Sequence, residues 1–237
     1  MSTYLLCIPT YNEAENILEI LNRSIALKIA GLEILVIDDA SPDGTAAIVR
    51  ELSDPLIHLL PRERKEGLGP AYLAAFRWGL ARGFDFLIEM DADGSHQPEE
   101  LPRLIEASER ADLVLGSRWM PGGSVENWPL HRRAISQIGT RYARKALKLP
   151  YRDLTSGFRV LSRHLLESLE LDEIETLGYG FQIELAMRAH DAHFPIAEVP
   201  ITFIERSKGK SKMSRAIVFE ALNRTTRWGL ERHLYRR

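Results

Sequence analysis

Cysteine is almost absent from this chain: Cys7 is the single example in 237 residues. A lone thiol excludes any internal disulfide. Because Cys7 lies in an apolar stretch, a buried structural thiol is expected rather than a reactive one. No run approaches the roughly 18 apolar residues that a membrane span needs. No charged segment followed by a short apolar one opens the chain, so no secretory signal is read and a cytosolic compartment is expected. Repeats, low-complexity tracts and Ser/Gly linkers are missing too, which leaves nothing to divide the chain. No Ser-His-Asp or Cys-His constellation stands out, which argues against a covalent nucleophile.

What is present suits an ordinary globular protein, at 45% hydrophobic and 27% charged residues. That is enough for one large α/β domain with a substantial core. The net charge of -2 hides an asymmetry, since from Arg206 onward ten Lys or Arg face only Glu220 and Glu231. That end carries +8 and leaves -10 on the remainder. A basic end on an acidic body suits an anionic partner, either phosphate ligands or a membrane surface. A solvated terminal helix is the plainer alternative. The acidic body, and the lack of aromatic–basic interleaving on strands, argue against nucleic acid.

The first half alternates short apolar runs with amphipathic stretches. Tyr4–Ile8, Glu33–Asp38, Ile57–Leu60, Phe84–Met90 and Leu113–Gly116 read as buried strands. Glu13–Leu27, Thr45–Leu52, Pro70–Arg82 and Pro98–Arg110 read as helices, with Pro70 and Pro98 in first turns. This alternation predicts a mainly parallel sheet between helical layers. In such sheets ligands bind beyond the carboxyl ends of the strands.

The polar residues follow the strands accordingly. Pro9-Thr10-Tyr11-Asn12-Glu13 follows the first, offering a stiff turn, a ring for stacking and a carboxylate. A plain helix cap, with Asn12 at the N-cap and Glu15 in the capping box, explains the same residues. Asp38 and Asp39 end the second strand, where desolvated carboxylates need partners, and nucleobase N–H groups are candidates for Asp39. Asp43 reads as the cap of the next helix. The fourth strand runs into Asp91-Ala92-Asp93-Gly94-Ser95-His96. Two carboxylates emerging into one turn repel each other unless a hard divalent cation, Mg²⁺ or Mn²⁺, joins them. His96, beside Pro98, reads as a surface histidine. Farther along come Gly116-Ser117-Arg118, a Gly/Pro-rich loop, Arg132-Arg133 opening a helix, and Gly178-Tyr179-Gly180-Phe181-Gln182. The last cationic cluster is Arg206, Lys208, Lys210 and Lys212, spaced by Ser and Gly as suits phosphate binding.

In order and spacing, these motifs, together with Thr155-Ser156-Gly157-Phe158-Arg159, resemble the dolichyl-phosphate (polyprenyl-phosphate) mannosyltransferases among the inverting family 2 glycosyltransferases. The resemblance runs from about Tyr4 to Lys212. It implies a GT-A fold over residues 1–212, a single Rossmann-like, mainly parallel sheet flanked by helices. A basic helical segment without a transmembrane helix would follow over 213–237, either packed on the core or serving as an interfacial anchor through Ile217, Phe219, Leu222, Trp228 and Leu234. Pro9, Tyr11, Glu13, Ile37 and Asp39 would form the nucleotide pocket. Asp91 and Asp93 would hold Mg²⁺ or Mn²⁺, with Ala92 touching the donor through its backbone. Ser95 stands where archaeal relatives carry a Gln ligand, and is expected to be a weaker one. Arg118, Arg206 and Lys212 would bind donor or lipid phosphate. Ser117, Arg118, Arg206 and either Arg132 or Arg133 would meet the acceptor phosphate. Asp91, Asp93 and Arg118 are then the catalytic candidates.

The implied reaction moves mannose from GDP-mannose to a dolichyl or polyprenyl phosphate with inversion. The implied location is the cytoplasmic face of a membrane, with peripheral attachment or a membrane-spanning subunit as partner. A UDP-sugar donor and a non-catalytic nucleotide-binding scaffold are the competing readings.

Overall fold

The computed structural model describes residues 1–174, 176, 178–206 and 215–234. Five strands appear where the apolar runs predict them: β1 Tyr4–Thr10, β2 Leu32–Asp38, β3 Ile57–Pro61, β4 Phe86–Glu89 and β5 Leu113–Ser117. Between them lie α1 Ile17–Ala26, α2 Thr45–Glu51, α3 Leu68–Ala81 and α4 Leu101–Ser108. A short 3₁₀ turn, Pro98–Glu100, leads into α4. The second half adds β6 Ser124–Glu126, α5 Leu130–Leu147, β7 Arg159–Ser162, α6 Arg163–Ser168, α7 Tyr179–Asp191, β8 Ile196–Pro200, β9 Thr202–Ile204 and α8 Arg215–Leu234.

The main sheet has the order β3-β2-β1-β4-β7-β5-β8. Every pairing in it is parallel except those of β7, which runs antiparallel to both β4 and β5. A parallel pair, β6 and β9, stands apart. Successive side chains of a strand point to opposite faces. Accordingly, Leu5, Cys7, Leu35 and Ile37 join a core that includes Phe76 and Phe181. Leu6, Ile8, Ile34 and Val36 join another with Ile17, Ile20 and Leu101. Both faces being covered, the strands read as continuous apolar runs. Cys7 is buried as expected, and burial pushes its thiol well up.

Two local expectations change. The first helix starts four residues later than its pattern suggests, because Asn12 adopts a left-handed conformation (φ 56). Its N–H is taken by the Ser41 hydroxyl at 3.0 Å, so no capping box forms there. Gly44, not Asp43, holds the N-cap position of α2; Asp43 just before it accepts from Thr45 N and Oγ1 and also from Ala14 N. The Gly178–Gln182 stretch opens α7, helical from Tyr179 with Gly178 at the N-cap.

Among the described residues no helix is long and apolar enough to cross a membrane. The terminal helix α8 packs on α5: Tyr142 and Thr226 hydroxyls meet at 2.6 Å, and Gly229 lies against Ala146. Trp228 turns toward the core, whereas Phe219, Leu222 and Leu234 face outward. The boundary expected at 212/213 falls outside the described residues.

Candidate active site

The strand order reverses between β1 and β4: β2 and β3 lie beyond β1, and the later strands beyond β4. The crevice at such a switch point is where open α/β sheets bind ligands. Pro9 and Ile37 are register partners on its β1–β2 side. Asp38 is fully occupied in the turn, accepting from Thr10 Oγ1 (2.9 Å), Ser41 N (2.9 Å) and Ser41 Oγ (2.6 Å). Asp39 is buried and paired with Arg62 Nη1 at 2.7 Å. Burial raises its carboxyl above the usual range, with Arg62 only partly offsetting this. Lys65 Nζ lies 4.0 Å over the Tyr11 ring. Glu13 is buried and receives Asn16 Nδ2 at 2.8 Å. Arg62 and Lys65 belong to the short β3–α3 connection, a segment the motif reading did not single out, although its charge density was visible.

β4 delivers the central carboxylates. Gly94, at φ 75, reverses the chain after Asp93, and the turn then tucks back beneath the sheet edge. His96 is therefore not the surface residue expected. It is fully buried between Phe158 and Phe203, and its Nδ1 accepts the Asp91 N–H at 3.2 Å. Burial holds its imidazole well below the usual range, hence neutral, as that acceptor role requires. Gly157 closes the other side. A Cβ there would lie 3.6 Å from Asp91 Oδ1, and close to Gln182 and His96 as well.

Asp93 is buried, accepting from Ser95 N (3.0 Å) and Ser95 Oγ (2.5 Å) on Oδ1 and pairing with Arg206 Nη2 (2.8 Å) on Oδ2. Burial opposes its ionisation, but Arg206 and Ser95 outweigh that and hold its carboxyl below the usual range. Asp91 goes the other way, raised by burial and then by the Asp93 charge beside it, although a third of its side chain stays exposed. Ala92 is buried between the two. Ser95 is buried behind Asp93 with its proton directed at that carboxylate.

The pair fits a hard divalent cation. Two neighbouring carboxylates of which one resists ionisation are what a cation's charge would relieve. No group of three or more His, Cys, Asp or Glu is arranged to hold an ion among the described residues. Asp91 and Asp93 would thus supply two ligands, leaving the others to phosphate and water.

Across β7, Arg118 is nearly buried and bonded to Asp153 through Nε (2.7 Å) and Nη2 (2.9 Å), with Nη2 also reaching Thr155 Oγ1 (2.9 Å). The rings of Trp119, Trp128 and Phe203 surround its guanidinium at 5.3 to 5.7 Å. Ser117 is buried, and its hydroxyl has no hydrogen-bond partner among the described residues. Arg132 lies 4.3 Å over Trp128 and pairs with Glu205, next to Arg206, whereas Arg133 is exposed to solvent. Arg132 is therefore the member of that pair brought to the site. Lys212 lies outside the described residues.

Behind the crevice, Arg159 is fully buried and donates to the carbonyls of Leu154, Ser156 and Gln182 at 2.6 to 2.8 Å. Glu89 lies 4.0 Å from it. Burial raises the Glu89 carboxyl to about 7 despite Arg159. The Arg of the SGFR motif is thus structural, tying that loop to the first turn of α7.

An open, mainly parallel sheet with an Asp-x-Asp pair and cations at its switch point defines a glycosyltransferase of the GT-A type. Residues 5–170 match the model of the family described as glycosyl transferase family 2. Undecaprenyl-phosphate mannosyltransferase of Micrococcus luteus is 52% identical, over 95% of this chain and 93% of its own. Polyprenol monophosphomannose synthase of Mycolicibacterium smegmatis is 48% identical, over 98% and 89%. Dolichol-phosphate mannosyltransferase of Pyrococcus furiosus is 38% identical over 97% of this chain and 62% of its own. In backbone, the chain is similar to glucosyl-3-phosphoglycerate synthase from Mycobacterium tuberculosis in complex with Mn²⁺, UDP-glucose and phosphoglyceric acid. That structure gives a TM-score of 0.70 at 22% identity, covering 94% of this chain and 80% of the other. The chain belongs to glycosyl transferase family 2.

Proposed function

We propose that this glycosyltransferase moves mannose from GDP-mannose to a polyprenyl phosphate, inverting the anomeric carbon and releasing GDP. The observation that carries the reading is near-full-length identity of about half with two mannosyltransferases named for lipid phosphates. The geometry supports the chemistry: a carboxylate pair and cations meet at one crevice.

In this reading Pro9, Tyr11, Glu13, Ile37 and Asp39 receive the nucleotide, and Asp91 and Asp93 hold Mg²⁺ or Mn²⁺. The bound ion would supply positive charge to the departing diphosphate. An oxygen of the acceptor phosphate attacks the anomeric carbon as its bond to the diphosphate oxygen breaks, and that electron pair leaves with GDP. A phosphate is anionic at neutral pH, so no residue has to remove a proton. The chain's work is orientation and charge placement. Arg206 is assigned to the donor diphosphate, a role that Lys212 would share by the family resemblance. Arg132, held over the Trp128 ring, and Ser117 face the acceptor phosphate, while Arg118 is a fixed charge behind them.

The reading also places the protein peripherally at a membrane's cytoplasmic face. Supporting it, Ile135 and Ile138 of α5 are 64% and 63% exposed, and Phe219 of α8 is 70% exposed. Tyr142, Leu222, Leu230 and Leu234 extend the exposed apolar residues on these two packed helices. Exposed apolar residues on helices that also carry the exposed cations Arg133, Arg141, Lys145 and Arg227 suit the interfacial region of a bilayer.

The test incubates the protein with radiolabelled GDP-mannose, a short polyprenyl phosphate and Mg²⁺ or Mn²⁺, then counts label extracted into organic solvent. Metal-dependent label, lost with Asp91→Ala, is expected. Label from a UDP-sugar instead would overturn the donor but keep the reaction class. Label from neither would sink the proposal.

A further inference from the structure

Both carboxylate oxygens of Asp93 are engaged within the protein. Oδ1 takes two donors from Ser95, at 3.0 and 2.5 Å, and Oδ2 takes the Arg206 guanidinium at 2.8 Å. We infer that Arg206 and the divalent cation compete for Asp93, so that the metal site assembles only when a nucleoside diphosphate draws Arg206 away. This rests on the reading of Asp91 and Asp93 as metal ligands.

Ser95 holds Oδ1 from within the turn, so an arriving ion must take the Oδ2 side, where Arg206 is. A guanidinium there repels a second cation and occupies one of the lone pairs on Oδ2 that the cation would use. The backbone beside Arg206 is held in place. Glu205 is anchored, with its N–H on Glu126 O at 3.0 Å and its carboxylate on Arg132. The exchange is then a side-chain swing from a fixed stretch of backbone. Diphosphate is the natural destination, because a planar guanidinium binds phosphate oxygens in a forked geometry that a carboxylate shares. The same diphosphate adds ligand oxygens to a site where the described residues offer only two carboxylates. Metal and nucleotide therefore bind with positive coupling, and by linkage each tightens the other by the same factor.

The measurement is calorimetric titration of Mn²⁺ into the protein and into Arg206→Gln, each with and without saturating GDP, with Mn²⁺–GDP binding subtracted. Circular dichroism checks that the variant is folded, and Arg206→Lys serves as a milder second variant. The native protein is expected to bind Mn²⁺ about tenfold or more tightly with GDP than without it. Without GDP, Arg206→Gln should bind Mn²⁺ about tenfold more tightly than the native protein, with Arg206→Lys between them. The inference is overturned if Arg206→Gln binds Mn²⁺ no better than the native protein when nucleotide is absent. Tight binding to the native protein regardless of GDP would keep the metal reading and sink this one. No Mn²⁺ binding in any state would remove both.

Discussion

Arg118 and Asp153 form a doubly bonded ion pair, at 2.7 and 2.9 Å, in which only 6% of the arginine and none of the carboxylate is exposed. Breaking a buried pair by removing one partner leaves an uncompensated charge, typically worth about 3–5 kcal/mol. Asp153→Ala is expected to lower the unfolding free energy by about that much at pH 7, read as a shifted urea midpoint. Burial opposes ionisation of Asp153, but the charge and hydrogen bonds of Arg118 hold its carboxyl below the ordinary range. A depressed folded-state value means the pair contributes in full above the unfolded carboxyl's range and is lost as pH falls through the folded one. The gap between native protein and Asp153→Ala should therefore close only at strongly acidic pH.

Asp91 has the opposite sign. Its carboxyl is raised by burial and by Asp93, so ionisation costs the metal-free fold stability, and that cost grows as pH rises. Asp91→Asn should keep or raise the metal-free melting temperature at pH 7 while removing organic-extractable product. A lower melting temperature would mean that the Asp91 charge is not a burden.

Ser95 distinguishes a ligand from a supporting residue. Its hydroxyl donates to Asp93 Oδ1 at 2.5 Å, and losing such support behind a metal ligand commonly costs about 10–100-fold in affinity or activity. Ser95→Ala should weaken Mn²⁺ binding within that span, and Ser95→Asn should not restore it if positioning Asp93 is the role. Full rescue by Asn would favour direct ligation.

Arg132 and Arg133 adjoin in sequence but not in environment. Arg132→Ala is expected to raise the KM for the lipid phosphate about tenfold or more and leave the KM for donor near its native value. Arg133→Ala should change either by less than about twofold, as befits an exposed charge. Equal effects from the two would contradict the placement of Arg132 on Trp128 and Glu205.

The exposed face of α5 and α8 predicts membrane behaviour. Ile138→Asp combined with Phe219→Asp should abolish flotation with anionic vesicles while leaving the melting temperature within a degree or two, since both side chains are mostly in solvent. Unchanged flotation would move the lipid contact elsewhere.

The amino-acid order determined the β1–β5 alternation, because buried strands and amphipathic helices are periodic patterns within a dozen residues. It also determined that Asp39, Asp91, Asp93 and Arg118 follow strand ends, hence that they lie at one sheet edge. It left β6 to β9 unread: β6 and β9 have three residues, and no apolar run within β7 (RVLS) or β8 (IAEVP) exceeds two residues. Tertiary structure alone decided that β7 inserts antiparallel between β4 and β5, which buries Arg159 against Glu89 and brings Asp153 to Arg118. It decided that His96 faces inward, since Gly94 folds the turn beneath Phe158 and Phe203, and that Arg206 reaches Asp93. Charge pairs of this kind join residues far apart along the chain, and nothing local in either partner specifies the other. Only the packing of the sheet brings them within hydrogen-bonding distance.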